Sequence, residues 1–231
     1  PATPDGIPTP ALLTRTALLL GKIPCLVVNS GSKIDPKIPF ISFGINHGKN
    51  IQHEAALELF DTHQAFEYGK ILGKQLSKLN DLVVIGESIP GGTTTALGVL
   101  TGFGIDANYK ISSSMPNNPH DLKIRVVQEA IKNQKISDLM DPFKIISLLG
   151  DPMIPAVAGI ATGAIQSESK VMLAGGTQMA AVLAFMSSLN VSFDKICIGT
   201  TSYVTKDENS DLEFLVRTIS PDIPILSVNP G

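Results

Sequence analysis

The chain has 231 residues, of which 43% are hydrophobic and 17% charged, and its formal net charge is −3 at pH 7. This composition excludes a disordered chain, and the length predicts one large domain or two small ones with a sizeable core. The sequence has no cluster of Lys and Arg and no apolar run near the roughly 20 residues of a membrane span, which argues against nucleic-acid and membrane partners. The two cysteines, Cys25 and Cys197, lie in apolar runs and predict buried free thiols in a reducing cytoplasm.

Short β-branched runs alternate with longer helical patterns along the chain. In chain order, we predict a helix over Thr9–Leu20, a strand over Cys25–Asn29, a loop over Gly31–Gly48, a helix over His53–Leu79, a strand over Leu82–Ile85, helices over Thr93–Gly102 and Pro119–Asn133, a strand over Lys144–Leu149, a helix over Pro155–Gln166, a strand over Lys170–Leu173, a helix over Thr177–Leu189, a strand over Lys195–Ile198, a polar loop over Asp207–Asp211 and a strand over Ile225–Val228. Several strands are continuously apolar, which is typical of buried parallel strands. The alternation predicts an α/β fold with a doubly wound, mostly parallel sheet and helices on both faces, a Rossmann-like three-layer arrangement.

We expect one domain over residues 1–231. The chain opens with Pro1 and ends at Gly231, just after an apolar run. Both ends look cut, and we therefore expect that N- and C-terminal segments of the full protein are missing.

A glycine- and threonine-rich turn separates the strand that ends at Ile85 from the helix that follows it. Gly91 and Gly92 let backbone amides approach an anion closely, and Thr93 and Thr94 add hydroxyl donors at the unpaired, positive end of the helix. These features predict a phosphate site, although a tight turn with glycine for packing and threonine as a cap would use the same residues. Glu87 favours the functional interpretation, because α/β sheets carry their chemistry at the carboxyl ends of their strands.

The spacing of this turn resembles a Walker A loop, but Gly92 stands where that loop has its lysine. The lysine reaches the β and γ phosphates of a nucleoside triphosphate, so its absence argues against an ATPase and favours a monophosphate. No Gly-x-Gly-x-x-Gly motif follows a predicted strand and no metal-ligand spacing is present, so we expect neither a dinucleotide cofactor nor a metal.

Residues 86–95, Gly-Glu-Ser-Ile-Pro-Gly-Gly-Thr-Thr-Thr, carry a family resemblance. They resemble the Gly-Glu-Met-Gly-Ile-Gly-Asn-Thr-Thr motif of the nicotinate-nucleotide:dimethylbenzimidazole phosphoribosyltransferases, and the archaeal branch looks most similar. Residues 150–159 and 171–181 match two further family segments in the same order. The chain departs from the family pattern at Gly92, Asp151 and Ala174, where the family has Asn, Gly and Asp.

This resemblance implies a homodimeric enzyme that transfers ribose 5-phosphate from nicotinate mononucleotide to a benzimidazole-type base without a cofactor. The product is the lower-ligand nucleotide of cobamides. Glu87 would be catalytic, and the family's main general base would lie beyond Gly231. The resemblance implies phosphate and ribose contacts from Gly91, Gly92, Thr93, Thr94, Ser112, Ser113, Ser114, Lys123, Gly175 and Gly176. Without the resemblance, Lys123 would be interpreted as a solvated helix residue and the three serines as a loop.

Two other functions remain open at this stage. One is a non-catalytic nucleotide- or phosphate-binding module of the same fold that kept the phosphate site and lost the base. The other is a kinase- or phosphatase-like enzyme, against which the missing lysine and the lack of an acid-rich metal site count. The transferase chemistry itself needs no metal, because its substrate contains no pyrophosphate to neutralise.

Overall fold

The computed structural model describes residues 10–113, 117–136 and 140–230. Its elements are α1 Pro10–Gly21, β1 Val28–Asn29, β2 Ile41–Ser42, α2 Leu59–Ser77, β3 Leu82–Gly86, α3 Gly92–Gly102, α4 His120–Gln134, α5 Pro142–Leu149, α6 Met153–Gln166, β4 Lys170–Ala174, α7 Thr177–Ser188, β5 Ile196–Thr201, α8 Ser202–Thr205, α9 Leu212–Ile219 and β6 Ile225–Val228. β1 and β2 form a small parallel sheet, and β3, β4, β5 and β6 lie side by side in chain order in a second parallel sheet. The predicted α/β fold of parallel strands flanked by helices is confirmed.

The predicted strand over Lys144–Leu149 is wrong, because this segment lies in α5. Asp141 accepts a hydrogen bond from the Lys144 amide at 3.2 Å, and Pro142 occupies the first helical turn, so the sequence before the apolar run starts a helix. Residues 145–149 are all buried. A short helix that is buried on every side has no polar face, and its apolar run cannot be told from a buried strand by periodicity.

The N-terminal part of the chain differs from its prediction in two further ways. The predicted strand over Cys25–Asn29 is reduced to β1, which pairs with β2 inside the segment predicted as a loop. Cys25 is exposed and Cys197 half-buried, so the prediction of two buried thiols is wrong for Cys25. The start of the first predicted helix, Thr9, lies outside the described residues.

The pair α2 and α6 forms the closest helix contact of the core. Gly69 and Gly73 of α2 face Gly159 and Gly163 of α6, and a Cβ atom at any of these positions would lie within 2.4 Å of a backbone oxygen of the other helix. The absence of side chains at these glycines therefore lets the two backbones touch. Residues 153–165 of α6 are buried, and α6 also contacts β3, β4 and α7. This packing fixes α6, and the loop before it, against the four-stranded sheet.

Within the described ranges, no helix is both long enough and apolar enough to cross a bilayer.

Candidate active site at the carboxyl edge of the sheet

The carboxyl ends of β3, β4 and β5 lie side by side at one edge of the four-stranded sheet. Glu87 follows β3, and Gly175 and Gly176 follow β4. Helices α3 and α7 both begin at this edge, so two sets of helix N-terminal amides face the same region. The turn at Glu87 and the turn at Gly175 and Gly176 are far apart in the sequence. The fold therefore brings them together at the sheet edge where α/β proteins bind their ligands.

The turn into α3 has the conformation that its glycines permit. Gly91 has φ 75° and ψ 1°, a left-handed conformation that favours glycine. Gly92 is buried, and a Cβ atom there would lie 2.4 Å from Nε2 of Gln178. Thr93 and Thr94 are half-buried, and no side chain in the described part of the chain caps this helix. The start of α3 thus presents backbone amides and two threonines at the sheet edge.

Glu87 is a half-buried carboxylate with a perturbed proton affinity. Burial raises its pKa, the negative charge of Asp151 raises it further, and hydrogen bonds from the Gln178 side chain and the Ile89 amide lower it. No salt bridge of Glu87 occurs among the described residues. Its conjugate acid is therefore weaker than that of an ordinary glutamate, which suits a group that accepts protons.

Asp151 is a buried acid that the sequence did not single out as a site residue. It is only 3% exposed and lies just before α6. Its side chain accepts hydrogen bonds from the Thr95 hydroxyl at 2.5 Å and from the amides of Met153 and Ile154 at 2.9 and 3.2 Å. Burial holds the pKa of Asp151 above its ordinary value, although these three hydrogen bonds oppose part of the rise.

Lys123 is a buried cation, so its interpretation as a solvated helix residue is wrong. The residue is 4% exposed, and its Nζ donates to the backbone oxygen of Ser112 and to Oδ1 of Asn118, both at 2.9 Å. Across residues 10–113, 117–136 and 140–230, no carboxylate lies within ion-pair distance of Nζ. Burial lowers the pKa of Lys123 from its ordinary value. The acceptors that the described residues place around this ammonium are therefore all neutral.

The first turn of α7 lies between the Lys123 region and Glu87. Thr177, its first residue, accepts a hydrogen bond from the Ser112 amide at 3.1 Å, and the two hydroxyls are 2.8 Å apart. The side chain of the next residue, Gln178, acts on Glu87 as a hydrogen-bond donor that lowers the pKa of the glutamate. Ser113 is half-buried, whereas the predicted site residue Ser114 lies outside the described residues. The structure thus connects the lysine, the serine loop and the glutamate through two consecutive residues.

Two surface depressions lie away from this edge. They measure about 230 and 260 Å³ and share Phe103 and Ser188 in their linings, at the carboxyl end of α3. Their linings contain no titratable side chain. The groups that could perform chemistry are therefore at the opposite end of α3, around Glu87 and Lys123.

Comparison with known proteins is consistent with this arrangement. A family model described as phosphoribosyltransferase matches residues 21–207. The chain belongs to this phosphoribosyltransferase family. It is 45% identical over 230 residues to a UPF0284 protein of Archaeoglobus fulgidus and 42% identical over 231 residues to one of Methanothermobacter thermautotrophicus. These relatives are archaeal, as the resemblance predicted, and the chain spans 64% and 63% of their lengths, which is less than two thirds.

A solved structure shares the fold of this phosphoribosyltransferase chain. The crystal structure of nicotinate-nucleotide-dimethylbenzimidazole phosphoribosyltransferase from Thermus thermophilus superposes with a TM-score of 0.76 at 14% sequence identity. The match covers 93% of this chain and 63% of that one. At this level of identity the similarity establishes the common architecture.

Proposed function

We propose that the full-length protein transfers ribose 5-phosphate from nicotinate mononucleotide to a benzimidazole-type base. The observation that carries this proposal is Lys123, a buried ammonium that no carboxylate of the described chain neutralises. A buried charge is costly unless an opposite charge compensates it, and a phosphate monoester would supply that charge. The motif at residues 86–95 and the fold shared with an enzyme named for nicotinate nucleotide and dimethylbenzimidazole support the choice of substrates.

The phosphate is proposed to lie between Lys123 and the start of α7. There Gly176 and Thr177 contribute helix N-terminal amides, and the Ser112 hydroxyl lies 3.5 Å from the position of a Cβ atom on Gly176. A positively charged side chain combined with free helix N-terminal amides is a common way to hold a phosphate. Gly175, Ser113 and Ser114 are proposed to complete this side of the site.

The ribose is proposed to extend along the first turn of α7 towards Glu87. Gly91, Gly92, Thr93 and Thr94 at the start of α3 would then contact the nucleotide from the other side, and they remain the alternative location for the phosphate. Two helix starts at one sheet edge suit a ligand with a charged group and several hydroxyls, because each start offers unpaired amide donors.

The chemistry requires a proton acceptor and little acid assistance. The bond from C1′ to the pyridinium nitrogen breaks with its electron pair moving to that nitrogen, so nicotinate leaves with a neutral ring and needs no proton on its ring nitrogen. The ribose centre passes through an oxocarbenium-like state, as in glycoside cleavage. The attacking azole forms a bond to C1′ and must lose its ring N–H proton, for which Glu87 is the acceptor available in this chain. The family resemblance implies that the main general base of the full-length protein lies beyond Gly231.

The proposal is tested with the full-length protein, nicotinate mononucleotide and dimethylbenzimidazole. We expect release of nicotinate and formation of the benzimidazole ribonucleotide in equal amounts, both measured by liquid chromatography. Glu87→Gln should bind the nucleotide but turn over more slowly, whereas Lys123→Met should bind it more weakly. Nucleotide binding without any nicotinate release would favour the non-catalytic binding module instead. The homodimer, which the resemblance implies, and the cytoplasmic location, which the sequence predicts from its cysteines, stay predictions.

A further inference from the structure

The side-chain amide of Asn118, a residue just before α4, contacts three groups. Its Nδ2 donates to the backbone oxygen of Ile111 at 2.8 Å and to that of Asn209 at 3.3 Å. Its Oδ1 accepts from Nζ of Lys123 at 2.9 Å. One end of the amide is therefore fixed by two backbone segments, and the other end is presented to the buried ammonium.

Only one orientation of the Asn118 amide satisfies all three partners. A backbone oxygen can only accept a hydrogen bond, and a lysine ammonium can only donate one. If the amide were turned over, its oxygen would face two other oxygens, and its NH2 group would face the ammonium. The partners therefore keep Oδ1 directed at Nζ of Lys123.

The loop that contains Asn209 has hydrogen bonds that hold it in place. The Asp207 carboxylate accepts from the Asn209 amide at 2.9 Å and from the Ser210 hydroxyl at 2.9 Å. Nε2 of His120 lies 2.9 Å from the same Asn209 backbone oxygen that Asn118 contacts. The acceptor that orients Asn118 is therefore part of a hydrogen-bonded loop tied to the start of α4.

The second acceptor of the ammonium places it beside α7. Nζ of Lys123 donates to the backbone oxygen of Ser112 at 2.9 Å, and the amide of Ser112 donates to the hydroxyl of Thr177 at 3.1 Å. Thr177 is the first residue of α7, whose free amides form the other half of the proposed phosphate site. Asn118 and Ser112 together therefore hold the ammonium next to this helix start.

Both acceptors are neutral, so they give the ammonium a direction and leave its charge uncompensated. In the parts of the chain that the structure describes, no carboxylate comes within ion-pair distance of Nζ. Asn118→Asp would replace the amide by a carboxylate of nearly the same shape beside this buried cation. That carboxylate would compensate the charge of Lys123 and compete with any anionic ligand. The neutral amide at position 118 is therefore needed if Lys123 is to hold a phosphate.

We infer that Asn118 is a positioning residue: its neutral amide holds the Lys123 ammonium at the start of α7 and leaves the positive charge for the phosphate of the nucleotide to compensate. This inference rests on the proposed function. Two N–H groups of the ammonium are used by Asn118 and Ser112, and the third donates to a phosphate oxygen. Asn118 does not contact the substrate and acts only through Lys123.

The test compares Asn118→Asp and Asn118→Ala with the wild-type full-length protein. The first variant adds a negative charge beside the ammonium, and the second removes an acceptor without adding charge. Asn133→Asp is the matched control, because Asn133 is an exposed residue near the other end of α4 whose side chain donates to the Gln52 backbone oxygen. Isothermal titration calorimetry measures the affinities for nicotinate mononucleotide and for nicotinate riboside, which lacks the phosphate.

We expect Asn118→Asp to weaken the binding of nicotinate mononucleotide by about tenfold or more, and Asn118→Ala by a smaller factor, because both weaken the charged hydrogen bond to the phosphate. The affinity for the riboside should stay unchanged in both variants, and Asn133→Asp should match the wild type for both ligands. Asn118→Ala combined with Lys123→Met should bind the mononucleotide as Lys123→Met alone does, because Asn118 acts through the ammonium. Thermal denaturation shows whether each variant is folded, and Asn118→Ala carries the comparison if Asn118→Asp does not fold.

The outcomes separate this role from the proposed function. Wild-type affinity for the mononucleotide in the Asn118 variants, with a loss only in Lys123→Met, would overturn the role of Asn118 and leave the proposed function intact. Equal losses for the mononucleotide and the riboside would also overturn it, because they would show a structural effect. A wild-type protein that binds the mononucleotide and releases no nicotinate would overturn the proposed transfer reaction, whereas the affinities, which need no turnover, would still decide the role of Asn118.

Discussion

Replacing Lys123 by methionine removes the buried charge and keeps most of the side-chain volume. Two of the three N–H groups of the ammonium are bonded to Ser112 and Asn118, which leaves one for a ligand. A hydrogen bond between charged groups contributes about 1.5–3 kcal/mol, so Lys123→Met should weaken the binding of nicotinate mononucleotide by about 10- to 150-fold.

The same substitution should change the stability of the free protein only slightly. It relieves the burial of an uncompensated charge, but it leaves the acceptors on Ser112 and Asn118 without their donor, and these two effects oppose each other. Isothermal titration calorimetry gives the affinity, and thermal denaturation without ligand shows whether the variant is folded. Lys132→Met, an exposed lysine of the same helix, is the control and should leave both quantities unchanged.

The pH dependence of binding gives an independent check. Burial holds the pKa of Lys123 below its ordinary 10.5, and a bound phosphate favours the protonated form. The contribution of Lys123 to nucleotide affinity is therefore complete below that lowered pKa and is lost as the pH rises through it. This loss should occur at a lower pH than for an exposed lysine. Lys123→Met should not show this loss. Equal affinities for wild type and variant across this pH range would refute the role given to Lys123.

Three further substitutions test other parts of the account. Gly159→Ala should lower the free energy of unfolding by about 1–3 kcal/mol, because its Cβ would lie 2.1 Å from a backbone oxygen of α2. Gly98→Ala is the control: its Cβ would lie 3.2 Å from the nearest backbone oxygen, so it should lower the free energy of unfolding less, as measured by urea titration. In Gly92→Ala the added methyl group should push the Gln178 side chain away from the Glu87 carboxylate. Steady-state kinetics should then show a larger fall in kcat than change in KM. Thr93→Val should weaken nucleotide binding by about 1–3 kcal/mol if its hydroxyl contacts the ligand, and an unchanged calorimetric affinity would remove this residue from the site.

The fold was predictable where the signal is local. The strand before Glu87, the turn at Gly91 and the helix after it follow from β-branched residues, glycine conformations and helix-start chemistry within about twenty residues. Helix α5 was missed, because the burial of residues 145–149 removes the polar face that distinguishes a helix, although Asp141 and Pro142 are a local helix-start signal. The short strand Ile41–Ser42 forms only through its pairing with β1, a contact that no local pattern encodes.

Some features of the candidate site were also predictable from the sequence, and others were not. Glu87 and the glycines of its turn are candidate site residues because of their position after a buried strand, and the structure places them at the carboxyl end of that strand. The burial of Lys123 could not be predicted, because it results from the packing of α4 against the loop at Ser112 and the start of α7. Asp151 was visible only as a departure from a family pattern, and its burial against Thr95 depends on how α6 packs in the core.

The most direct test of the account is a crystal structure of the protein with nicotinate mononucleotide. We expect the phosphate within hydrogen-bond distance of Nζ of Lys123 and the ribose directed towards Glu87. A phosphate bound elsewhere, with the Lys123 ammonium paired instead to a carboxylate of the protein, would contradict the claim that this buried cation exists to hold the substrate.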